Sequence, residues 1–181
     1  MVMKKIVLIA VLAFTSLHAK NNNIERVGDW VQILIPLSAY GTTLYLDDEE
    51  GEIEFYKSFF STFGTTHLLK RTVRKERPNH SDNRSFPSGH TSASFQGATF
   101  IHRRYGIKYA IPAYLGATFV GYSRIYADKH DLADVIAGAV IGSCFSYYFT
   151  TPYKFDGVEV RPTVYSSESS GHHLFGFKMR W

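Results

Sequence analysis

Several stretches of the chain carry few charges or none, and their apolar residues recur at helical spacing. Residues 31–46 hold no charged side chain. In 53–69, Ile53, Tyr56, Phe60 and Phe63 follow one another at steps of three and four, which makes one apolar helical face. Residues 91–101, 109–123 and 135–153 are three further charge-free runs. Gly138 and Gly142 lie one helical turn apart with Ala137 and Ala139 beside them, a pattern that permits close helix approach. The pattern predicts an all-α chain, a compact bundle of about five to six helices. The run 135–153 is long enough to span a bilayer. The others are shorter or rich in Ser, Thr, Gly and Tyr, and the mean hydropathy of −0.13 is low for a chain made mostly of spans. The bundle is therefore expected either to rest against a membrane or to be shallowly embedded in one.

The two ends break this pattern. Residues 1–19 begin with Lys4 and Lys5, continue through an apolar run at 6–14 and reach the small residue Ala19. That is the order of a secretory signal, with an uncleaved anchor as the alternative. Export would place the protein in a bacterial-type cell envelope, in the periplasm or on the periplasmic face of a membrane. After Pro152 the period changes from helical to two. Val158, Val160, Pro162 and Val164 alternate with polar or larger residues, and Phe175, Phe177, Met179 and Trp181 do so again after a Ser/Gly-rich turn. This predicts a C-terminal β-hairpin tail packed on the bundle or on a partner. The expected organisation is a signal at 1–19, a helical domain at 20–152 and the tail at 153–181. A non-catalytic envelope protein working through that tail is one class of function this leaves open.

Composition narrows the chemistry. The 181 residues suit one folded domain, and the single cysteine, Cys144, excludes an internal disulfide or a multi-cysteine metal site. Cys144 lies in an apolar run and is expected to be buried. Basic residues number 20 against 16 acidic, a net charge of +4. Without residues 1–19 the charge falls to +2, and residues 70–78 alone hold +4. The excess is one local cluster and not a nucleic-acid footprint.

Three clusters carry candidate chemistry. Lys70 and Arg77 are seven residues apart, so a helix ending at Pro78 would bring both cations to one face, able to hold a multiply charged oxyanion. Alone, this is equally a solvated basic helix end. Pro87-Ser88-Gly89-His90 is a turn running into a helix. Its free backbone N–H groups, the Ser88 hydroxyl and the bare Gly89 suit an anion, and His90 could give a proton to it. Alone, this is equally a helix cap with a surface histidine. Ser123-Arg124 precedes His130 and Asp134, which are four apart and share a helical face. There a carboxylate can orient an imidazole that acts as nucleophile, with Arg124 as a third cation. Alone, this is equally a satisfied surface pair. Arg71, Arg74 and Lys75 are expected in solvent, on lipid headgroups or at the rim of the site. Arg103 and Arg104 read as an ordinary basic helix end, and the acids at 47–54 as a loop and helix start.

Taken in order, Lys-x6-Arg-Pro, then Pro-Ser-Gly-His, then Ser-Arg-x5-His-x3-Asp resembles the complete three-part signature of the type 2 phosphatidic acid phosphatase superfamily, which includes vanadium haloperoxidases. The resemblance spans 70–134 in its motifs and roughly 30–153 in helical texture. It implies that Lys70, Arg77, Ser88, Gly89 and Arg124 bind phosphate. It also implies that His130 is the nucleophile, Asp134 orients it and His90 is the general acid. It further implies a metal-independent phosphohydrolase with no cofactor, acting through a phosphohistidine. The signal and the apolar helices point to a lipid phosphate or diphosphate as substrate, at a membrane surface or in the bilayer. A soluble-substrate acid phosphatase or a vanadate-dependent haloperoxidase is the alternative within the same resemblance.

Overall fold

The computed structural model of the protein describes residues 22–154, together with the backbone of 161–166 and 173–178. The segment expected to be a signal, 1–19, and the remainder of the tail lie outside the described residues. Five helices follow in order: α1 (Asn22–Tyr45), α2 (Glu49–Thr72), α3 (Gly89–Tyr105), α4 (Ile107–Tyr126) and α5 (Leu132–Phe149). In the tail, backbone segments β1 (Arg161–Ser166) and β2 (His173–Lys178) run antiparallel, with Pro162 opposite Phe177 and Val164 opposite Phe175.

Helix α3 is the axis of the bundle and touches all four other helices. It can be central because its inward residues are small or polar up to Thr99, beyond which Phe100, Ile101 and Tyr105 join an apolar cluster with Phe55. Thr91, Ser92, Ser94, Gln96, Gly97, Ala98 and Thr99 are all buried. Several of their polar groups bond across helices: Gln96 Nε2 donates to Ser58 Oγ at 2.9 Å, and Ser146 Oγ to the Gln96 carbonyl at 2.7 Å, while Gln96 Oε1 has no partner among the described residues. A Cβ on Gly97 would stand 2.9 Å from the Pro36 backbone, and one on Gly142 2.8 Å from Gln96 N. Gly142, one of the two glycines expected to permit close packing, thus sets the α3–α5 contact, and Gly97, which the sequence reading did not single out, sets the α1–α3 contact.

The large apolar side chains point the other way. Trp30, Ile33, Leu34 and Leu37 on α1 are each about half exposed or more, as are Phe60 and Phe63 on α2 and Ile136 and Val140 on α5. The apolar face predicted for 53–69 is real, but it lies outside the bundle, while Ser58, Thr62 and Thr66 face inward. Among the described residues, Leu132–Phe149 is the one helix long and apolar enough to cross a membrane. Cys144 is exposed on it, contrary to expectation, because the glycine face of α5 has taken the inward side.

One end of the bundle is closed by a buried ion cluster. Arg104 is 3% exposed, so it is no ordinary basic helix end. Its guanidinium donates to Asp48, Glu50 and Glu54 and to the Thr151 carbonyl. Asp48 caps α2 through the Gly51 N–H at 3.0 Å, and Glu54 accepts from Thr151 N. The acidic run therefore serves as the anchor of Arg104. Removing one partner of a buried ion pair strands the others. Arg104→Met is expected to cost about 3–5 kcal/mol. Thermal or denaturant unfolding in detergent checks this, and an unchanged transition would contradict it.

Candidate active site

The other end of the bundle gathers the three clusters. Helix α2 stops earlier than its charge pattern suggests. It ends at Thr72, and Arg74 adopts a left-handed backbone with φ 48°. Lys70 and Arg77 therefore do not share two turns of one helix. The chain instead folds back, with Ser85 N donating to the Lys75 carbonyl and Arg77 N to the Asp82 carbonyl, both at 2.9 Å. These tertiary hydrogen bonds outweigh the weak preference for continuing the helix. Both cations still arrive at the site. Lys70 comes from the last turn of α2, donating to the Arg84 carbonyl at 2.9 Å. Arg77 comes from the loop, donating to Asp82 Oδ1 at 2.8 Å and to the Lys129 carbonyl at 3.1 Å.

The second cluster forms the start of α3. Ser88 is its N-cap and is fully buried; its Oγ accepts from Thr91 N at 3.4 Å and Thr91 Oγ1 at 2.9 Å. The Ser88 hydroxyl proton is thereby left for another acceptor. The first-turn N–H groups at Gly89 and His90 have no intrahelical acceptor and point out of the helix start. A Cβ on Gly89 would lie 3.5 Å from Lys70 Cε, which puts that lysine over the same helix end.

The third cluster supplies the dyad. His130 is 3% exposed and Asp134 fully buried. His130 Nδ1 lies 3.5 Å from Asp134 Oδ2, across the capping box that opens α5. Arg77 Nη1 lies 3.4 Å from His130 Nε2. A guanidinium can only donate, so Nε2 is the lone-pair nitrogen and the ring proton sits on Nδ1, toward the carboxylate. Burial, followed by the cations Lys70 and Arg77, holds the imidazole well below its ordinary value, at about 4, although Asp134 opposes this. The ring is therefore neutral near pH 7, with its lone-pair nitrogen turned toward Arg77.

Arg124, in the last turn of α4, is also buried. It does not stand as a free third cation. Its Nη1 donates to Asp29 Oδ1 at 2.8 Å and its Nη2 to the Glu25 carbonyl at 2.7 Å. The same Asp29 oxygen lies 3.0 Å from His90 Nε2. Asp29, on α1, thus ties His90 to Arg124, and sequence reasoning missed it. The signal was weak but present: Asp29 is the single acid between Glu25 and Asp47, just before the charge-free run 31–46, where an unpaired carboxylate is costly. Lys75 and Ser85 were also missed as site residues. Lys75 Nζ donates to Asp134 Oδ1 at 2.9 Å and to Asp131, and Ser85 Oγ donates to Asp134 Oδ2. His80, in the loop between the first two clusters, pairs with Glu76 instead of facing the site. All eight residues expected from the sequence thus meet at one end of the bundle, with Asp29, Lys75 and Ser85 behind them.

A pocket of this kind offers a multiply charged oxyanion two cationic side chains, a helix start and a neutral imidazole at close range. The comparisons agree with that chemistry. Residues 52–157 match the family model of the PAP2 superfamily. The chain is 30% identical over 170 residues to the lipid A 4'-phosphatase of Helicobacter pylori, covering 87% of this chain and 85% of that protein. It is 37% identical over 82 residues to the lipid A 1-phosphatase of Porphyromonas gingivalis, a stretch covering 44% of this chain and 18% of that one. Its fold is similar to the crystal structure of Aquifex aeolicus LpxE, with a TM-score of 0.60 and 22% identity over 79% of this chain and 93% of that one. The family match begins in α2, so the helix that carries Asp29 lies outside it.

The His130 imidazole is expected to titrate near pH 4 and to be neutral above it. NMR of imidazole-labelled protein measures this directly. Titration near the ordinary value of about 6.5 would contradict the cation-facing geometry.

Proposed function

The chain belongs to the PAP2 superfamily and is a lipid phosphate phosphatase, and from that premise we propose that it removes a phosphomonoester from lipid A through a phosphohistidine on His130. The observation that carries this is the orientation of His130, with Nε2 toward the cations and Nδ1 toward buried Asp134. The lipid A assignment is supported by the 4'-phosphatase relative, which aligns along nearly its whole length.

Lys70, Arg77, the Ser88 hydroxyl and the N–H groups at Gly89 hold the phosphate oxygens. They offset its charge, so a lone pair can approach phosphorus, and they stabilise the equatorial oxygens as the transition state forms. Arg124 contributes from behind, through the pair it shares with Asp29. The His130 Nε2 lone pair forms the P–N bond as the bond from phosphorus to the ester oxygen breaks. His90 gives its proton to that leaving oxygen. The imidazole now carries positive charge, which Asp134 balances through Nδ1–H. Water, losing a proton to His90, then attacks phosphorus and releases phosphate and His130. Charge neutralisation comes from side chains throughout, which supports a metal-independent reaction.

The outward apolar side chains support a bundle seated in a bilayer, since soluble monomers rarely expose apolar surface of this extent. The active site then lies at one end, where a lipid headgroup can reach it. Residues 1–19 as an export signal place that end on the periplasmic side. The helical domain at 20–152 holds the chemistry, and the tail, with its hairpin, is an appendage to it.

Purified protein in detergent is expected to release phosphate from lipid A in preference to phosphatidic acid, phosphatidylglycerol phosphate and undecaprenyl diphosphate, with mass spectrometry showing loss of the 4'-phosphate. Release confined to a diphosphate would overturn the monoester assignment. His130→Ala is expected to abolish turnover in a protein that still folds; residual activity near wild type would sink the phosphohistidine. Activity is expected to persist in EDTA, and loss on chelation with recovery on added magnesium would contradict the metal-independent mechanism.

A further inference from the structure

Buried Asp134 has more partners than a carboxylate that merely orients a histidine. Oδ2 faces His130 Nδ1 at 3.5 Å and accepts from Ser85 Oγ and from Asp131 N at 3.2 Å. Oδ1 is turned away from the histidine and accepts from Lys75 Nζ at 2.9 Å. The same ammonium holds Asp131, the N-cap of α5, whose side chain in turn accepts from Asp134 N at 3.0 Å. Lys75 therefore bridges two carboxylates one helical turn apart and fixes the rotation of Asp134 about its last bond. It touches neither Lys70 nor Arg77 nor the start of α3. No other cation is bonded to Asp134 among the described residues.

We propose that Lys75 is a positioning residue, which holds Asp134 aimed at His130 and offsets part of its charge, and thereby sets the proton affinity of the nucleophile without contacting the phosphate. Two consequences follow from charge alone. With Lys75 present, part of the negative potential of Asp134 is offset, so the carboxylate supports the Nδ1–H of His130 without drawing its proton away. With Lys75 neutralised, the full carboxylate charge acts on the imidazole, which then takes up a proton more readily. The groups facing this dyad are Lys70 from α2, Arg77, Lys75 and Ser85 from the loop, and Asp131 from the start of α5. Only the Lys75 charge changes in the experiment. The inference deepens the proposed function by naming a residue that the three-part motif leaves out.

The test uses Lys75→Met, with Lys75→Gln as a milder second variant and Lys75→Arg as the rescue, all full-length in detergent and checked by thermal melting. The His130 titration, followed by NMR, needs no substrate. It is expected to move up by about one pH unit in the Met and Gln variants and to return in Lys75→Arg. With lipid phosphate as substrate, kcat is expected to fall about 10- to 100-fold, as for a misaimed catalytic group, while inhibition by inorganic phosphate stays within about twofold. The acid limb of kcat/KM is expected to move up with the titration. An unmoved titration overturns the inference, whatever the turnover. So does a loss of phosphate inhibition equal to the loss of kcat, which would make Lys75 a phosphate ligand. A titration that moves in the variants, when the wild-type protein turns over no lipid phosphate, overturns the functional proposal and leaves this one standing.

Discussion

The site is organised around one buried carboxylate. Asp134 has no exposed surface, and an ionised carboxylate in that position is tolerated only when its lone pairs are met by donors. The donors come from separate parts of the chain: Lys75 and Ser85 from the loop after α2, Asp131 N and the His130 ring from the turn before α5. The backbone joins in, since Ser88 N donates to the Asp134 carbonyl at 2.9 Å. A single residue thus holds all three motif segments together.

The second constraint is the reversed distribution of polarity. Inside the bundle, Ser, Thr, Gln and Gly let α3 approach its neighbours closely, and interhelical hydrogen bonds meet the polar groups. Outside, Trp, Leu, Ile and Phe side chains cover the helices. Small residues in the interior let the helix backbones approach closely, so van der Waals contact and hydrogen bonds carry much of the force between them. Charge is then confined to the two ends. At one end Arg104 is closed off by Asp48 and Glu54. At the other, Lys70 and Arg77 lie beside a helix start and keep their attraction for an anion.

This asymmetry links fold to chemistry. The Arg104 end is a matched cluster, with its cation bonded to carboxylates and a carbonyl. The opposite end pairs Arg124 with Asp29 and Lys75 with Asp134, leaving Lys70 bonded to backbone oxygens and Arg77 to the exposed Asp82. Mutual repulsion of such cations is relieved by an anion between them. The same cations, after burial, hold His130 neutral, so an anion-attracting charge and a free imidazole lone pair arise from one arrangement.

Helical periodicity and charge-free runs were enough to predict an all-α bundle, because helix formation and small-residue packing are local properties of a segment. The motif residues were legible for a related reason: each pairing, His130 with Asp134 or Ser88 with Thr91, spans one helical turn or cap. The direction of the apolar faces was not legible, because Ile53, Tyr56, Phe60 and Phe63 form the same stripe whether it meets a core or a lipid. Arg104 and Asp48 are 56 residues apart, Lys75 and Asp134 are 59 apart, and Asp29 and Arg124 are 95 apart. The neighbourhood of neither partner identifies the other. The sequence by itself therefore determined the helices and the motif residues that gather at one end of them. Only the tertiary structure decided which side of each helix is inside and which distant charges hold the reacting groups in place, because those depend on solvation and on contacts between segments that local spacing does not encode.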